Sequence, residues 1–136
     1  MRINKKSMLI VVIMCLMVIV FNNLYVKAAT DNQENNIVKA EDLIKIYMEN
    51  NKSGDSIFKE KNIEITGKVD SINKNFYVSK VNMKGSGGGY IVFRLNDTRN
   101  LSSVKKGEVI TIKGVCTGKF GNNIYINESS IVESKS

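Results

Sequence analysis

Few residue types in this chain could do chemistry, because histidine is absent and one of its two cysteines lies in an apolar N-terminal run. Without histidine, a zinc site loses its commonest nitrogen ligand, and the thiol of Cys116 has no imidazole base to activate it. A calcium-dependent nuclease would need carboxylates and arginines, and its candidates are Asp70, Asp97, Arg94 and Arg99. Their spacing matches no nuclease motif. We therefore predict a protein that is not an enzyme, with no metal and no cofactor.

A glycine-rich run, Gly85-Ser86-Gly87-Gly88-Gly89, could be interpreted as a phosphate-binding loop. Such a loop needs a following helix and a Gly-Lys-Ser/Thr ending, so that backbone N–H groups and a lysine converge on phosphate. Here the run ends in Gly-Tyr and a strand pattern follows. We predict a flexible hairpin connection instead.

Basic charge is concentrated in one part of the sequence. Eleven basic and four acidic residues lie between Lys61 and Lys119, whereas the segment 31–60 has four basic and seven acidic residues. If Ile91 and Phe93 point inward, then Tyr90 and Arg94 point outward, because side chains alternate along a strand. The predicted ligand-binding residues are Lys68, Tyr77, Tyr90, Arg94, Lys119 and Phe120.

Tyrosines set among lysines and arginines are typical of surfaces that stack bases or sugars. The predicted ligand is therefore anionic or oligomeric, an oligonucleotide or an oligosaccharide. Lysines on alternating strands also occur as solvated faces and edge protection. The alternative function is a cell-envelope module that binds a protein partner, and the calcium-dependent nuclease is the least favoured.

Two strands with a central glycine organise the domain that carries these residues. In the segments 62–72 and 109–116, apolar residues alternate with polar ones around Gly67 and Gly114. A phase break near Asp70-Ser71 indicates a β-bulge. Strands that bend at glycines are typical of a small closed antiparallel barrel. The predicted core is Ile63, Ile65, Val69, Phe76, Val78, Ile91, Phe93, Leu95, Ile110, Ile112, Ile124 and Ile126.

Three further strand patterns, 76–81, 90–95 and 124–126, make five strands with a long connection between the third and fourth. This arrangement predicts a mainly β protein with an OB-fold barrel over residues 60–133. Before it, the segment 37–59 has a helical period. Its apolar stripe, which we expect to pack on the barrel, is Ala40, Leu43, Ile44, Tyr47 and Met48, and Asp55 could cap a further turn.

Residues 1–28 have the pattern of a Sec-type signal peptide. Arg2, Lys5 and Lys6 precede an apolar run of 14 residues, 8–21, and Val26-Lys27-Ala28 predicts cleavage after Ala28. The protein is then secreted or extracytoplasmic, with a disordered leader at 29–36. The alternative is an uncleaved membrane anchor. Four of the 20 basic residues and none of the 13 acidic ones lie in this segment, so the remainder carries a net charge of +3.

The ordered motifs of residues 40–132 resemble the tRNA_anti-like family of small exported bacterial OB-fold proteins. Its helix is matched by Leu43, Tyr47 and Asn50, and the lead-in and first strand by Phe58, Lys61, Ile63, Ile65, Gly67 and Val69. Further matches are Lys106, Gly107, Gly114, Cys116 and Gly118. The resemblance implies an anticodon-binding-like barrel and no catalytic residues.

Overall fold

The computed structural model describes residues 4–31 and 37–134, with side chains at 4–20 and 37–132. The chain divides into two compact units, 1–34 and 35–136. The first unit contains one helix, α1 (Lys5–Asp31), whose apolar side chains from Met8 to Val20 are exposed. The predicted leader, 29–36, overlaps the end of α1, and its residues 32–36 lie outside the described residues. Within the described ranges, none of the helices has both the length and the apolar content of a membrane span.

The second unit is mainly β, with two short helices near its start. Its elements in chain order are β1 (Ile37–Lys39), α2 (Ala40–Glu49), α3 (Asn51–Phe58), β2 (Asn62–Asn73), β3 (Ser79–Lys84), β4 (Tyr90–Leu95), a 3₁₀ turn (Leu101–Ser103), β5 (Val109–Phe120) and β6 (Asn123–Ser134).

The strands close into a barrel. Hydrogen-bonded neighbours run in the order β1-β2-β3-β4-β6-β5, and β2 also pairs with β5. The β4–β6 pair is parallel, and the other barrel pairs are antiparallel. Five strands with this order form the predicted OB-fold barrel, and the prediction is confirmed.

The long strand β2 serves two parts of the barrel, because its first half pairs with β5 and its second half with β3. The ladder shifts register between Val69 and Ser71, which confirms the predicted bulge. The glycines predicted at the bends lie where a side chain would clash with neighbouring atoms. A Cβ at Gly67 would lie 2.5 Å from Ala40 Cβ, and a Cβ at Gly114 would lie 2.6 Å from Ile126 Cγ2.

The helix α2 packs its apolar stripe on the barrel as predicted. Ala40, Leu43, Ile44 and Tyr47 are buried. Asn50, and not the predicted Asp55, caps α3, since its side-chain oxygen accepts hydrogen bonds from the N–H groups of Lys52 and Ser53. Residues 37–39 were predicted as helical but form β1, which pairs in parallel with residues 64–66 of β2.

Ten of the twelve predicted core residues are buried, and the predictions for Phe76 and Val78 are wrong. Phe76 is 97% exposed and Val78 is 40% exposed, because both belong to the connection 74–78. The strand starts at Ser79, opposite Leu95, and its inward side chains are Val81 and Met83. The prediction placed even-numbered residues inward, whereas the strand places odd-numbered ones inward, and a shift of one residue reverses which side chains face the core.

Candidate functional site

One outer face of the barrel is formed by three adjacent strands, β3, β4 and β6. Their inward residues, among them Phe93 and Ile124, are fully buried, so the alternate residues point outward. We call this surface the outer face. Its residues are Lys80, Asn82 and Lys84 on β3, Tyr90, Val92 and Arg94 on β4, and Asn123, Tyr125 and Asn127 on β6. None of these nine positions is acidic.

Register aligns these side chains into rows across the sheet. Lys84 lies opposite Tyr90, Tyr90 opposite Asn123, and Asn123 opposite Phe120 of β5. Opposed residues in a ladder project to the same side. Phe120, which is 80% exposed, therefore extends this row at the end of the outer face where β4 begins.

Two cations of the outer face lie over aromatic rings. Lys84 Nζ is 5.7 Å from the centroid of the Tyr90 ring, and Arg94 Cζ is 5.4 Å from that of Tyr125. Both distances are within the range of cation–π attraction. This attraction holds the charged groups beside half-buried tyrosine rings, and a ring with a cation next to it is the combination that binds a base and its neighbouring phosphate.

Tyr77 lies at the other end of the outer face, in the connection between β2 and β3. It is 92% exposed and lines a groove of about 470 Å³ together with Arg94 and Asn127. Glu128 also lines this groove and is the acidic residue among its lining residues. The adjacent Phe76 ring meets Tyr77 edge-on, with the centroids 5.6 Å apart. Tyr77 and Arg94 therefore lie in one groove, although Tyr77 belongs to the connection 74–78 and not to the predicted strand.

Lys68 belongs to a cleft at the end of the outer face where Lys84 lies. The cleft is lined by Lys68, Lys84 and Lys106, with Val69, Asp70 and Gly107, and has a volume of about 480 Å³. Because Lys84 lines this cleft and also lies over Tyr90, the cleft is continuous with the outer face. We call it the lysine cleft.

Lys119 is not aligned with the outer face. It is half-buried and lies opposite Ile124, whose side chain is in the core. Sequence reasoning missed Lys80, Asn82, Lys84 and Tyr125. The alternation of Ile124 and Ile126 already predicts that Tyr125 points outward. The pairing of β6 with β4 was needed to place Tyr125 beside Arg94.

The carboxylates considered for a nuclease lie near opposite ends of β4. Asp70 lines the lysine cleft, close to the start of β4, whereas Asp97 follows its end. Arg99 Nε donates hydrogen bonds to both carboxylate oxygens of Asp97 at 2.9 and 3.0 Å, and these bonds lower the pKa of Asp97 to about 2. Among the described side chains, no three His, Cys, Asp or Glu residues converge as metal ligands would.

The glycine-rich run 85–89 is a hairpin connection between β3 and β4, as predicted. The Gly85 N–H donates to the Gly89 carbonyl at 3.0 Å, and Gly88 has a φ of +87°, which glycine adopts without strain. Two of the glycines lie against α2: a Cβ at Gly85 would be 2.9 Å from Ile44 Cδ1 and one at Gly89 3.0 Å from Ile44 Cγ2. Their absence of side chains allows the helix to pack here.

A family model described as tRNA_anti-like matches residues 1–130. The chain belongs to the tRNA_anti-like family. A search of curated proteins finds no match. Among solved structures, the chain is similar to "OBody NL8 bound to hen egg-white lysozyme", with 18% identity over 56% of this chain and 99% of that chain and a TM-score of 0.42.

The outer face of this tRNA_anti-like protein coincides with the surface on which OB folds bind their ligands. In OB folds generally, the second and third barrel strands and the loops beside them contact oligonucleotides or oligosaccharides. Here those strands are β3 and β4, and the neighbouring connections are 74–78, with Tyr77, and the β5–β6 turn, beside Phe120. The arrangement can stack planar rings and hold anionic groups next to them.

Proposed function

We propose that this protein is an exported, non-catalytic binding protein for single-stranded nucleic acid, which it holds on the outer face. Exposed aromatic rings would stack bases, while Lys80, Lys84 and Arg94 would contact phosphates. Stacking tolerates any base, so the proposed binding has little sequence preference. Export would follow from the signal-like segment 1–28.

The observation that carries the proposal is the pairing of cations with rings among nine outer-face residues that include no carboxylate. Arg94 lies over Tyr125 and Lys84 over Tyr90, and Phe120 adds an exposed ring in the same row. A solvated lysine face would need none of these rings. A saccharide site would use the rings but would not need the three cations.

The test is fluorescence anisotropy of labelled DNA and RNA oligomers of about 12 nucleotides, a length within the range that one OB fold covers. Phe120→Ala and Arg94→Ala remove exposed side chains, so both variants are expected to fold. Loss of one stacking contact is expected to weaken binding about 5- to 150-fold, because each stacked base contributes about 1–3 kcal/mol. Lys113→Ala is the matched control, since this exposed lysine on β5 is outside the outer face.

Absence of binding to either oligomer at low salt contradicts the proposal. So does wild-type affinity in both Phe120→Ala and Arg94→Ala. Binding of oligosaccharides in place of oligonucleotides, with an affinity that ignores salt, would assign the same face to sugars. Capture of a cell-surface protein by cross-linking, without oligonucleotide binding, would favour the envelope-partner alternative.

Export has its own measurement. Mass spectrometry of the protein released from cells that express the full chain is expected to give an N-terminus at Ala29, which follows the predicted cleavage site. An intact N-terminus on cell-associated protein would favour an uncleaved anchor. Either result leaves the binding experiment unaffected.

A further inference from the structure

We propose that the lysine cleft binds a phosphate monoester, the terminal phosphate of the strand that lies on the outer face. The residues that line the cleft support a phosphate site. The identification of that phosphate as the end of a nucleic-acid strand rests on the function proposed above. The cleft and the outer face share Lys84, so a strand that follows the face arrives in the cleft.

Three lysines line this cleft, and their like charges repel each other. Among the described side chains, the ion pairs within 4.0 Å are Lys59–Asp55 and Arg99–Asp97, so none of the three cleft lysines is neutralised in that way. Lys68, Lys84 and Lys106 outnumber the one carboxylate, Asp70, and a concave surface with such an excess of positive charge attracts an anion. The lysine ammonium is a compact charge that binds phosphate without requiring a fixed geometry.

The charge count of the cleft selects the kind of phosphate. Lys68, Lys84 and Lys106 with Asp70 give a net charge of +2. A phosphate monoester carries about −1.5 to −2 at neutral pH, whereas each phosphate inside a strand carries about −1. The cleft therefore matches an end group better than an internal diester. The other two cations of the outer face, Lys80 and Arg94, lie opposite each other on β3 and β4 without a third beside them.

The experiment compares short oligothymidylates that carry a phosphate at the 5′ end, a phosphate at the 3′ end, or no terminal phosphate. One of the two phosphorylated strands is expected to bind the full chain about fivefold more tightly than the unphosphorylated strand, the size of a well-placed ion-pair contribution. Lys68→Gln and Lys106→Gln are each expected to remove most of this preference. Lys106→Gln, which is outside the predicted ligand-binding residues, is expected to leave the affinity for the unphosphorylated strand unchanged. Lys113→Gln, the matched control, is expected to retain it.

A methyl ester on the terminal phosphate tests the charge argument, because it leaves one negative charge. We expect the esterified strand to lose most of the preference. Equal affinity for the free and esterified phosphates would overturn the choice of a monoester. Equal affinity of the wild-type chain for all three strands, or a preference that survives the double variant Lys68→Gln/Lys106→Gln, would overturn the cleft proposal while leaving the outer face intact.

If no oligonucleotide binds, the strand end is excluded as the source of the phosphate. A titration with inorganic phosphate then tests whether the cleft binds phosphate. The readout is the backbone amide signals of Asp70 and Gly107 in nuclear magnetic resonance spectra. Saturable shifts in the wild-type chain that vanish in the double variant support a cleft for free phosphate. If phosphate shifts these amide signals no more than chloride does, the proposal of a phosphate site in the lysine cleft is overturned.

Discussion

Gly54 permits the closest approach between the two short helices of the barrel unit. A Cβ at this position would lie 2.6 Å from Cε1 and 2.7 Å from Cγ of Tyr47, whose ring is 1% exposed. Alanine normally stabilises a helix relative to glycine by about 0.5–1 kcal/mol. Here we expect Gly54→Ala to lower the free energy of unfolding by about 1–3 kcal/mol, since a packed ring must shift. Urea denaturation measures the change.

Gly87→Ala is the matched control, because a Cβ at Gly87 would meet no atom within 4 Å. We expect this variant to unfold like the wild type or slightly later. A Gly54→Ala variant as stable as Gly87→Ala would mean that the ring of Tyr47 can move aside. The contact described at Gly54 would then not limit helix packing.

Tyr47 also supplies a buried polar contact, because its hydroxyl lies 3.4 Å from Cys116 Sγ. Burial, followed by the Cys116 hydrogen bond and the charge of Asp55, raises the pKa of Tyr47 well above its usual value of about 10. The unfolded chain therefore loses this proton first as pH rises. The stability that Tyr47 contributes is complete below pH 10 and declines above it, by up to about 1.4 kcal/mol per pH unit.

Tyr47→Phe removes this ionisation while keeping the ring. Between about pH 9 and pH 11, we expect the unfolding free energy to fall more steeply in the wild type than in the variant. Other tyrosines and lysines titrate in both proteins, so the difference between the two curves isolates Tyr47. Parallel curves would contradict the raised pKa. Urea midpoints and slopes at each pH provide the measurement.

At the level of single residues, the alternation of apolar and polar residues predicts which side chains point outward from a strand. Tyr90 and Arg94 point outward because Ile91 and Phe93 are apolar and point inward. The pattern Phe76-Tyr77-Val78 predicts a strand, but it has an apolar or aromatic residue at every position and leaves undetermined which side chains face the core. Only the pairing of Ser79 with Leu95 fixes where β3 begins. The position of Lys119 depended on a register shift between Cys116 and Gly118 that no local pattern marks.

Among the elements, α3 depends for its start on the residue that precedes it. Asn50 has an extended backbone and accepts hydrogen bonds from Lys52 N–H at 3.0 Å and Ser53 N–H at 3.3 Å. We expect Asn50→Ala to cost about 1 kcal/mol, the usual effect of losing such a cap. The control is Asn51→Ala, at the next position, which keeps the cap. Equal unfolding midpoints for the two variants would show that the Asn50 side chain does not stabilise α3.

The short strand β1 is an element that the sequence pattern does not predict. Ile37-Val38-Lys39 precedes a strong helical stripe and continues its period, which favours helix locally. Val38 instead lies opposite Ile65 and packs on the core, where β1 covers part of the β2 edge. An edge strand left open would be free to pair with another chain. This is a tertiary reason, and it cannot be inferred from three residues.

On the scale of the whole molecule, charge is divided between the barrel and the helical segment before it. Residues 61–119 carry eleven basic and four acidic side chains, and residues 31–60 carry four basic and seven acidic ones. Such a separation orients a protein in the field of a polyanion and raises the association rate at low salt. The sequence predicted this separation without any knowledge of the fold. The fold adds that Lys80, Lys84 and Arg94 share one surface.

That shared surface gives a quantitative prediction for salt dependence. If an unphosphorylated single strand contacts these three cations, the logarithm of the affinity should fall against the logarithm of salt concentration with a slope of about −2, because each contact contributes about −0.7. Arg94→Ala should reduce the slope by about 0.7, whereas Lys113→Ala makes the same change in net charge and should leave it unaltered. Anisotropy titrations between about 50 and 200 mM salt measure the slope. If both variants reduce the slope equally, the affinity depends on the total charge of the protein. That result would contradict the proposal that the ligand contacts the outer face.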